Sequence, residues 1–225
     1  MNRIEFFGDS IIRGALHEKG SMLRLRADNR YSCLSEMGYE IRNNARFGST
    51  AVKVANAVNK RLDQLDPTVS VVLGFGGNDC DFDWKSVSDA PEAEHVANVP
   101  LDRFIALYRD IIAVVKKTGA ALYLVNLIPL DSEKFFQWIS MRGSPSAILS
   151  WLGDINLLYR WHENYSRTVE RIAAETGCAL IDVRSAFLTR HDYKSLLCFD
   201  GIHPTEAGYG IIDSVFKSYF RAATA

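Results

Sequence analysis

The chain has 225 residues, 48% of them hydrophobic, which is enough for one sizeable core and fits a single α/β domain. The formal net charge of −1 and the sequence pI of about 6.5 exclude the basic surface that nucleic-acid-binding proteins carry. The basic residues are scattered, so no polybasic membrane patch is expected, and no apolar run approaches the roughly 20 residues of a membrane span.

The pattern of apolar residues predicts strands that alternate with helices. In chain order they are a strand at 3–7, a helix at 31–37, a strand at 40–43, a helix at 51–62, a strand at 69–73, a helix at 101–115, a strand at 121–128, a helix at 158–172, a strand at 179–183 and a helix at 205–220. The strand at 69–73 is apolar on both faces, which is typical of a central strand. Residues 13–29 and 80–100 are polar, and we expect 80–100 to be a surface loop.

Alternating strands and helices predict right-handed crossovers and a parallel sheet. Five strands fit a three-layer α/β/α sandwich, and we expect one domain over residues 1–225. An aromatic-rich insert at about 131–154 interrupts the alternation around a Gly143-Ser144-Pro145 break. This insert is a candidate lid, carbohydrate-stacking wall or dimer contact, with core packing as the alternative.

The N-terminus and the cysteines indicate a compartment. The sequence MNRIEFFGDS leads directly into a strand and lacks the apolar core and small-residue cleavage site of a signal peptide. Cys33, Cys80, Cys178 and Cys198 lie far apart without a CxxC pair, as expected of reduced core thiols. We therefore expect a cytoplasmic protein; the alternative is an exported one whose cleaved leader is not part of this sequence.

Four loops that follow predicted strands carry polar or glycine-rich motifs. The first loop carries Ser10, the second Gly48, the third Asn78, and the fourth the stretch from Asp200 to His203. In a parallel sheet these loops open on one edge, in the crevice where ligands bind, so the four positions can converge.

The residue types in these loops fit acyl transfer. A serine hydroxyl such as that of Ser10 needs a base within hydrogen-bond reach, and His203 can be that base. Asp200, three residues earlier, can hold the correct tautomer of His203. The backbone N–H groups of Ser10 and Gly48 and the amide of Asn78 could stabilise the oxyanion. The alternative role for Ser10 is to cap the following helix.

Other polar residues have simpler interpretations. Asp79, Asp81 and Asp83 alternate like the start of a metal loop, but the pattern lacks the glycine of an EF-hand, and we expect a solvated acidic loop in which Asp79 could brace the oxyanion loop. Arg46 could reach a polar substrate, but we favour surface packing. The remaining histidines have no acid partner at a telling spacing, and we expect surface or packing roles; they are His17, His95, His162 and His191.

Taken together, these motifs resemble the SGNH/GDSL hydrolase family of esterases and lipases. The matching stretches are Gly8-Asp9-Ser10 with Gly14 beyond it, Gly48 in an Asn-rich loop, Gly76-Gly77-Asn78-Asp79, and Asp200-Gly201-Ile202-His203-Pro204. The resemblance implies a flavodoxin-like fold, Ser10, His203 and Asp200 as the catalytic residues, and Ser10, Gly48 and Asn78 as the oxyanion hole. It also implies an acyl-enzyme and neither metal nor cofactor. Many members have Thr where this chain has Ile12, and the second loop has only one clear glycine, which leaves the shape of the acyl pocket open.

The expected function is hydrolysis of small-molecule carboxylic esters with short acyl groups such as acetate, with carbohydrate esters as one use. The alternatives are a lysophospholipase or thioesterase acting on longer chains, an acyltransferase, and a non-catalytic binding module on the same fold. No nucleic-acid partner is expected, and the sequence leaves homo-oligomerisation open.

Overall fold

The computed structural model describes residues 2–20, 22–26 and 31–223. Residues 21 and 27–29 of the predicted polar region 13–29, like the two ends of the predicted domain, lie outside the described residues. The strands are β1 (Arg3–Gly8), β2 (Ala15–Leu16), β3 (Arg24–Leu25), β4 (Glu40–Asn43), β5 (Val69–Gly74), β6 (Ala121–Val125) and β7 (Ala179–Ile181). Five of them form one parallel sheet in the order β4-β1-β5-β6-β7, while β2 and β3 form an antiparallel pair.

Helices cover both faces of the large sheet. They are α1 (Ser10–Arg13), α2 (Ser32–Ser35), α3 (Ala51–Asn59), α4 (Trp84–Asp89), α5 (Leu101–Lys116), α6 (Ser132–Ser140), α7 (Pro145–Leu152), α8 (Asn156–Thr176), α9 (Val183–Leu188) and α10 (Glu206–Ala223), with short 3₁₀ turns at Leu62–Gln64 and Tyr193–Leu196. Apolar residues of α3, α5 and α8 pack on one face of the sheet, and those of α2, α9 and α10 on the other. The predicted three-layer α/β/α architecture is therefore confirmed. Every helix among the described residues is too short or too polar to cross a bilayer.

The alternation of side chains along the strands explains the two cores. Phe6 of β1 points into the core under α10, and the next residue, Phe7, points into the core under α3 and α5. Val71, Val72 and Leu73 of β5 are fully buried, as expected for a central strand. The order of the sheet places its topological switch point between β1 and β5, where the chain leaves β1 toward β4 and returns to the other side.

Three segments differ from the sequence-based expectation. The predicted surface loop at 80–100 contains α4, which buries Trp84 and Val87. The strand predicted at 121–128 ends at Val125, and Asn126 instead donates hydrogen bonds to Glu170 and Asp182. Asp182 also caps α9, a helix that the sequence analysis missed, and it thereby ends β7 two residues early. The hydrogen bonds of Asn126 join residues that lie 44 and 56 positions apart, so they could not be read from local sequence.

The insert folds into two helices that share a core with α4. Trp84 and Val87 of α4 pack with Phe135 and Ile139 of α6 and with apolar residues of α7. Gly143, at the predicted break, lies so close to α4 that a Cβ there would sit 2.4 Å from the Ser88 side chain. The insert and the segment 80–100 therefore form one apolar layer beyond the carboxyl end of the sheet. All four cysteines are free, with Cys80 and Cys198 buried.

The carboxyl ends of β1 and β5 leave no room for a side chain on either strand. Gly8 pairs with Gly74 in the sheet, and the side chain of Ile12 from α1 lies over both glycines. A Cβ at Gly8 would lie 2.2 Å from the Gly74 carbonyl oxygen, and one at Gly74 would lie 2.5 Å from Ile12 Cδ1. The two glycines therefore allow α1, and with it Ser10, to sit directly on the end of the sheet.

The close packing around Gly8 and the open space around Gly210 predict opposite effects for alanine substitutions at these two positions. Gly8→Ala should lower the free energy of unfolding by about 1–3 kcal/mol or more, because the new methyl group meets backbone that cannot move aside. Gly210→Ala, in an exposed turn of α10 with open space around its Cα, should instead raise it by about 0.5–1 kcal/mol. Urea denaturation of both variants measures the difference, and equal effects of the two substitutions would contradict the packing described here.

Candidate active site

Ser10 lies in the first turn of α1, immediately beyond β1. The residue that caps this helix is Asp9, whose carboxylate accepts the backbone N–H of Ile11 at 2.9 Å. The Ser10 hydroxyl therefore does not serve as the cap, and its Oγ lies 2.9 Å from Nε2 of His203. Gly14 ends the helix with a φ of +91°, so α1 is a single turn held against the sheet by Ile12.

His203 lies on a closed loop near the C-terminus. The backbone of Cys198 donates to the carbonyl of His203 at 2.7 Å, which brings the two ends of the loop together. At its tip Gly201 has a φ of +74°, and a Cβ there would lie 2.6 Å from the carbonyl oxygen of Asp131. The carbonyl of Gly201 in turn accepts the N–H of Asp131 at 2.9 Å. The start of the insert therefore supports the loop from outside.

Asp200 connects the loop to the imidazole of His203. Its Oδ2 lies 2.7 Å from His203 Nδ1, and its Oδ1 accepts the backbone N–H groups of Ile202 and His203, each at 3.1 Å. Burial raises the pKa of this fully buried carboxyl, but the hydrogen bonds from His203 and Ile202 outweigh burial and bring the pKa below its usual value. Asp200 is therefore ionised at neutral pH and accepts the proton of His203 Nδ1, which leaves Nε2 as the acceptor that faces Ser10.

The structure gives the predicted oxyanion residues different surroundings. Asn78 lines the same cavity as Ser10, and its Nδ2 donates to the carbonyl of Ser49 at 3.1 Å. Gly48 has a φ of +63° and is exposed, with its carbonyl accepting a hydrogen bond from Lys53. Gly48 is not among the described residues that line the cavity. The structure thus ties Asn78 to the neighbour of Gly48, and the role of Gly48 stays a prediction.

The sequence predicted a solvated acidic loop at Asp79, Asp81 and Asp83, and this prediction is wrong for Asp79 and Asp81. Asp79 is fully buried and accepts the N–H of Ala51 at 2.7 Å, so it links the loop after β5 to the first residue of α3. Burial raises its pKa to about 7. Asp81 accepts the indole N–H of Trp84 at 2.7 Å, and burial raises its pKa to about 6. Only Asp83 is exposed, and it caps α4.

A cavity of about 430 Å³ opens beside Ser10 and His203. Its walls come from the loop after β5, the segment 80–100, the insert and the start of α8. The apolar and aromatic part of the lining comprises Phe82, Trp84, Ala97, Leu130, Phe135, Trp151, Leu152, Leu157, Leu158, Trp161 and Ile202. The polar side chains in the lining are few. Besides Ser10, Asn78 and His203 they are Asp9, Asp81, His95 and His162. The arrangement can hold an apolar group of moderate size next to a serine hydroxyl.

The expectation for the remaining histidines is wrong for His17. Its Nδ1 lies 2.6 Å from Asp200 Oδ2, although the two residues are 183 positions apart. No local spacing could have revealed this partner. His162 is buried, its Nδ1 has no hydrogen-bond partner among the described residues, and burial followed by the nearby charge of Arg184 lowers its pKa to about 3. His191 is exposed, and Nε2 of His95 donates to the carbonyl oxygen of Ala90.

One group of side chains among the described residues has the spacing of a metal site. His17, Asp200 and His203 offer ligand atoms that all lie within 4.8 Å of one another. The Nδ1 atoms of both histidines already form hydrogen bonds to Asp200 Oδ2.

Arg46 does not line the cavity at Ser10. It lines a separate groove together with Arg13, Lys60 and Arg61.

Comparison with known proteins gives a consistent result. Residues 6–211 match the sequence profile of the GDSL-like Lipase/Acylhydrolase family. The fold is similar to a lipase/acylhydrolase from Enterococcus faecalis, with a TM-score of 0.68, 19% identity and coverage of 99% of this chain and 97% of that one. It is also similar to a catalytic mutant of Axe2, an acetylxylan esterase from Geobacillus stearothermophilus, with a TM-score of 0.65, 21% identity and coverage of 96% and 92%. No curated protein matches the chain by sequence.

The electrostatics of Asp9 predict a pH-dependent stability. Burial raises the pKa of Asp9 from 3.8 to about 6, although the hydrogen bonds from Ile11 and Ile12 and the attraction of His203 act to lower it. The folded protein therefore holds a proton that the unfolded chain releases between these pH values, and ionised Asp9 destabilises the fold above pH 6. Asn caps helices as well as Asp does, so Asp9→Asn should raise the free energy of unfolding above pH 6, by an amount on the order of 3 kcal/mol.

The gain from Asp9→Asn should shrink as the pH falls through 6 and vanish below about 3.8. Urea denaturation of the wild type and the variant across this range measures the difference. Asp83→Asn, which changes an exposed N-cap, is the matched control. A difference between Asp9→Asn and the wild type that does not vary with pH would contradict the assignment.

Proposed function

Because the chain belongs to the GDSL-like lipase/acylhydrolase family of carboxylic ester hydrolases, we propose that it is a serine esterase whose nucleophile is Ser10. One observation carries the proposal: a hydrogen-bonded chain runs from Ser10 Oγ through His203 to the buried carboxylate of Asp200, at the mouth of a cavity. The proposed enzyme is a single domain over residues 1–225, and its aromatic insert supplies one wall of the substrate site.

The geometry supports the following steps. Ser10 Oγ attacks the ester carbonyl carbon while His203 Nε2 takes the hydroxyl proton. The imidazolium that forms is stabilised by Asp200, and it then protonates the leaving alcohol as the tetrahedral intermediate collapses to an acyl-enzyme. A water molecule, deprotonated by His203, attacks the acyl group and regenerates the Ser10 hydroxyl as the acid departs. Over one turnover the Ser10 proton leaves with the alcohol and a proton of the attacking water replaces it on Ser10 Oγ, so the enzyme returns to its starting state.

The oxyanion would form next to Asn78. A side-chain amide carries two N–H donors, and one of those of Asn78 holds the Ser49 carbonyl. The second donor can face the oxyanion together with the backbone N–H of Ser10. We propose Gly48 as the third donor, because its loop is fixed to Asn78 through Ser49. Losing one such donor typically lowers turnover by roughly 10²–10³.

The cavity supports esters with an apolar group of moderate size. Its volume of about 430 Å³ lies within the range of roughly 300–1,000 Å³ that is usual for small-molecule sites, and it exceeds what an acetyl group alone would fill. The apolar lining offers few partners for hydroxyl groups, which favours an acyl chain of medium length. A medium-length acyl chain in the cavity fits the alternative that the sequence left open, a lysophospholipase or thioesterase acting on longer chains.

The second candidate is the short-acyl ester predicted from the sequence, with a bulky alcohol in the cavity. The indole side chains of Trp84, Trp151 and Trp161 in the lining favour this candidate, because aromatic rings also pack against sugar rings. Axe2, which is similar in fold, is described as an acetylxylan esterase. In both candidates the insert acts as a wall of the cavity, one of the roles considered for it above.

A non-catalytic binding module on this fold is disfavoured because all three members of the hydrogen-bonded chain are present and in contact.

Ser10→Ala should lower kcat for p-nitrophenyl esters by at least about 10⁴-fold while leaving the fold intact, because no other described residue that lines the cavity carries a hydroxyl. Ser214→Ala, which removes an exposed hydroxyl on α10, is the matched control and should leave kcat unchanged. Equal activity of Ser10→Ala and the wild type would refute the proposed nucleophile.

The cavity predicts how activity varies with acyl length. If the acyl chain occupies the cavity, kcat/KM for p-nitrophenyl esters should rise from acetate to medium-length chains. Leu157→Trp, which places an indole in the cavity, should then lower kcat/KM for the longer esters and leave acetate nearly unchanged. Steady-state kinetics over the ester series measures both effects.

Leu149→Trp gives a matched control for this experiment. Leu149 is 40% exposed on the insert and is not one of the described residues that line the cavity, so its substitution should leave the whole series unchanged. Preference for acetate in the wild type, with Leu157→Trp lowering activity on acetate esters of bulky alcohols, would support the short-acyl candidate instead.

A further inference from the structure

His17 shares the carboxylate of Asp200 with His203. It follows β2, outside the four loops that carry the motifs, and its side chain is 12% exposed. Its Nδ1 lies 2.6 Å from Asp200 Oδ2, and the Nδ1 of His203 lies 2.7 Å from the same oxygen. Two imidazoles therefore meet one oxygen atom of a single buried carboxylate.

The ionised state of Asp200 fixes the direction of both hydrogen bonds. An ionised carboxylate only accepts, so both Nδ1 atoms carry a proton and donate it to Oδ2. The other oxygen, Oδ1, accepts the backbone N–H groups of Ile202 and His203. Within the described part of the chain, Asp200 thus receives four N–H donors, two on each oxygen. Of these, only the N–H of His17 comes from outside the loop that carries Asp200.

Aromatic contacts hold the His17 ring in this orientation. The ring lies edge-on to Phe199 with a centroid distance of 4.6 Å and to Trp138 of α6 with a centroid distance of 6.0 Å. It stands nearly perpendicular to the ring of His203, at an interplanar angle of 86°. The ring is therefore packed by two aromatic side chains, and its Nδ1 is presented to Asp200 before any substrate arrives.

Resting on the proposed function, we propose that His17 is a positioning residue for the catalytic triad. By donating to Asp200 Oδ2 from outside the loop, it fixes the plane of the carboxylate. The carboxylate in turn keeps Nε2 of His203 aimed at Ser10. The imidazole of His17 does not touch the reacting atoms, and its contribution passes entirely through Asp200.

Two substitutions separate the hydrogen bond from the packing. His17→Phe keeps an aromatic ring between Phe199 and Trp138 but removes the donor. His17→Asn removes the ring but places an amide N–H near the position of Nδ1. We expect kcat of His17→Phe to fall by about 10- to 100-fold, the size expected for losing one hydrogen bond to a charged group. We expect His17→Asn to keep most of kcat, and KM to change little in either variant.

Proton NMR gives an independent readout. The wild type should show two strongly downfield imidazole N–H signals, one for each histidine on Asp200, and His17→Phe should keep only one. His191→Ala, which removes an exposed histidine, is the matched control and should leave both signals and kcat unchanged.

The outcomes distinguish this inference from the proposed function. If Ser10→Ala retains activity, the proposed function fails. If Ser10→Ala is inactive but His17→Phe is at least as active as His17→Asn, only the role of His17 is overturned, because packing rather than donation would then matter. A single downfield signal in the wild type would also overturn it.

Discussion

The buried carboxylate of Asp200 is the interaction on which the rest of the site depends. A charged group with no exposed surface is tolerated only when its oxygens are fully hydrogen-bonded, and four N–H groups meet this requirement here. Two of these donors are backbone N–H groups of the short loop itself, which fixes the loop's shape. The two imidazoles extend the network outward, one toward Ser10 and the other toward the region after β2. Neutralising this carboxylate would therefore loosen several chain segments at once.

The second constraint is steric and lies at the opposite end of the hydrogen-bonded chain. Gly8 and Gly74 remove the side chains that would keep α1 away from the sheet, and Ile12 fills the space above them. The hydroxyl of Ser10 thereby sits at the switch point of the sheet, next to the loop that carries Asn78. Close backbone packing positions the serine, and charge pairing positions the histidine.

The sequence was most informative where function depends on strand ends. The parallel sheet, its central strand and the family could be predicted, because apolar periodicity and motifs after strands are local signals. The structure places Ser10, His203 and Asp200 in contact, and their catalytic roles stay a prediction. His17 could not be found, because its partner is 183 positions away and only the tertiary fold brings them together. The burial of Asp79 and the partial burial of Asp81 were missed for a related reason: acidic residues look solvated unless their donors, Ala51 N–H and the Trp84 indole, are known.

The two helices of the insert are attached to the molecule in different ways. Before α6, the N–H of Asp131 donates to the carbonyl of Gly201, and within α6 Lys134 donates to the carbonyls of Lys194 and Leu197. This helix is therefore joined to the loop that carries His203 and to the residues just before that loop. Helix α7 brings Trp151 and Leu152 to the cavity but contacts mainly α4 and α6. In evolutionary terms, α7 is the wall that can diverge to accept new substrates, whereas changes at the start of α6 would disturb the histidine as well. Directed evolution of specificity would begin at α7.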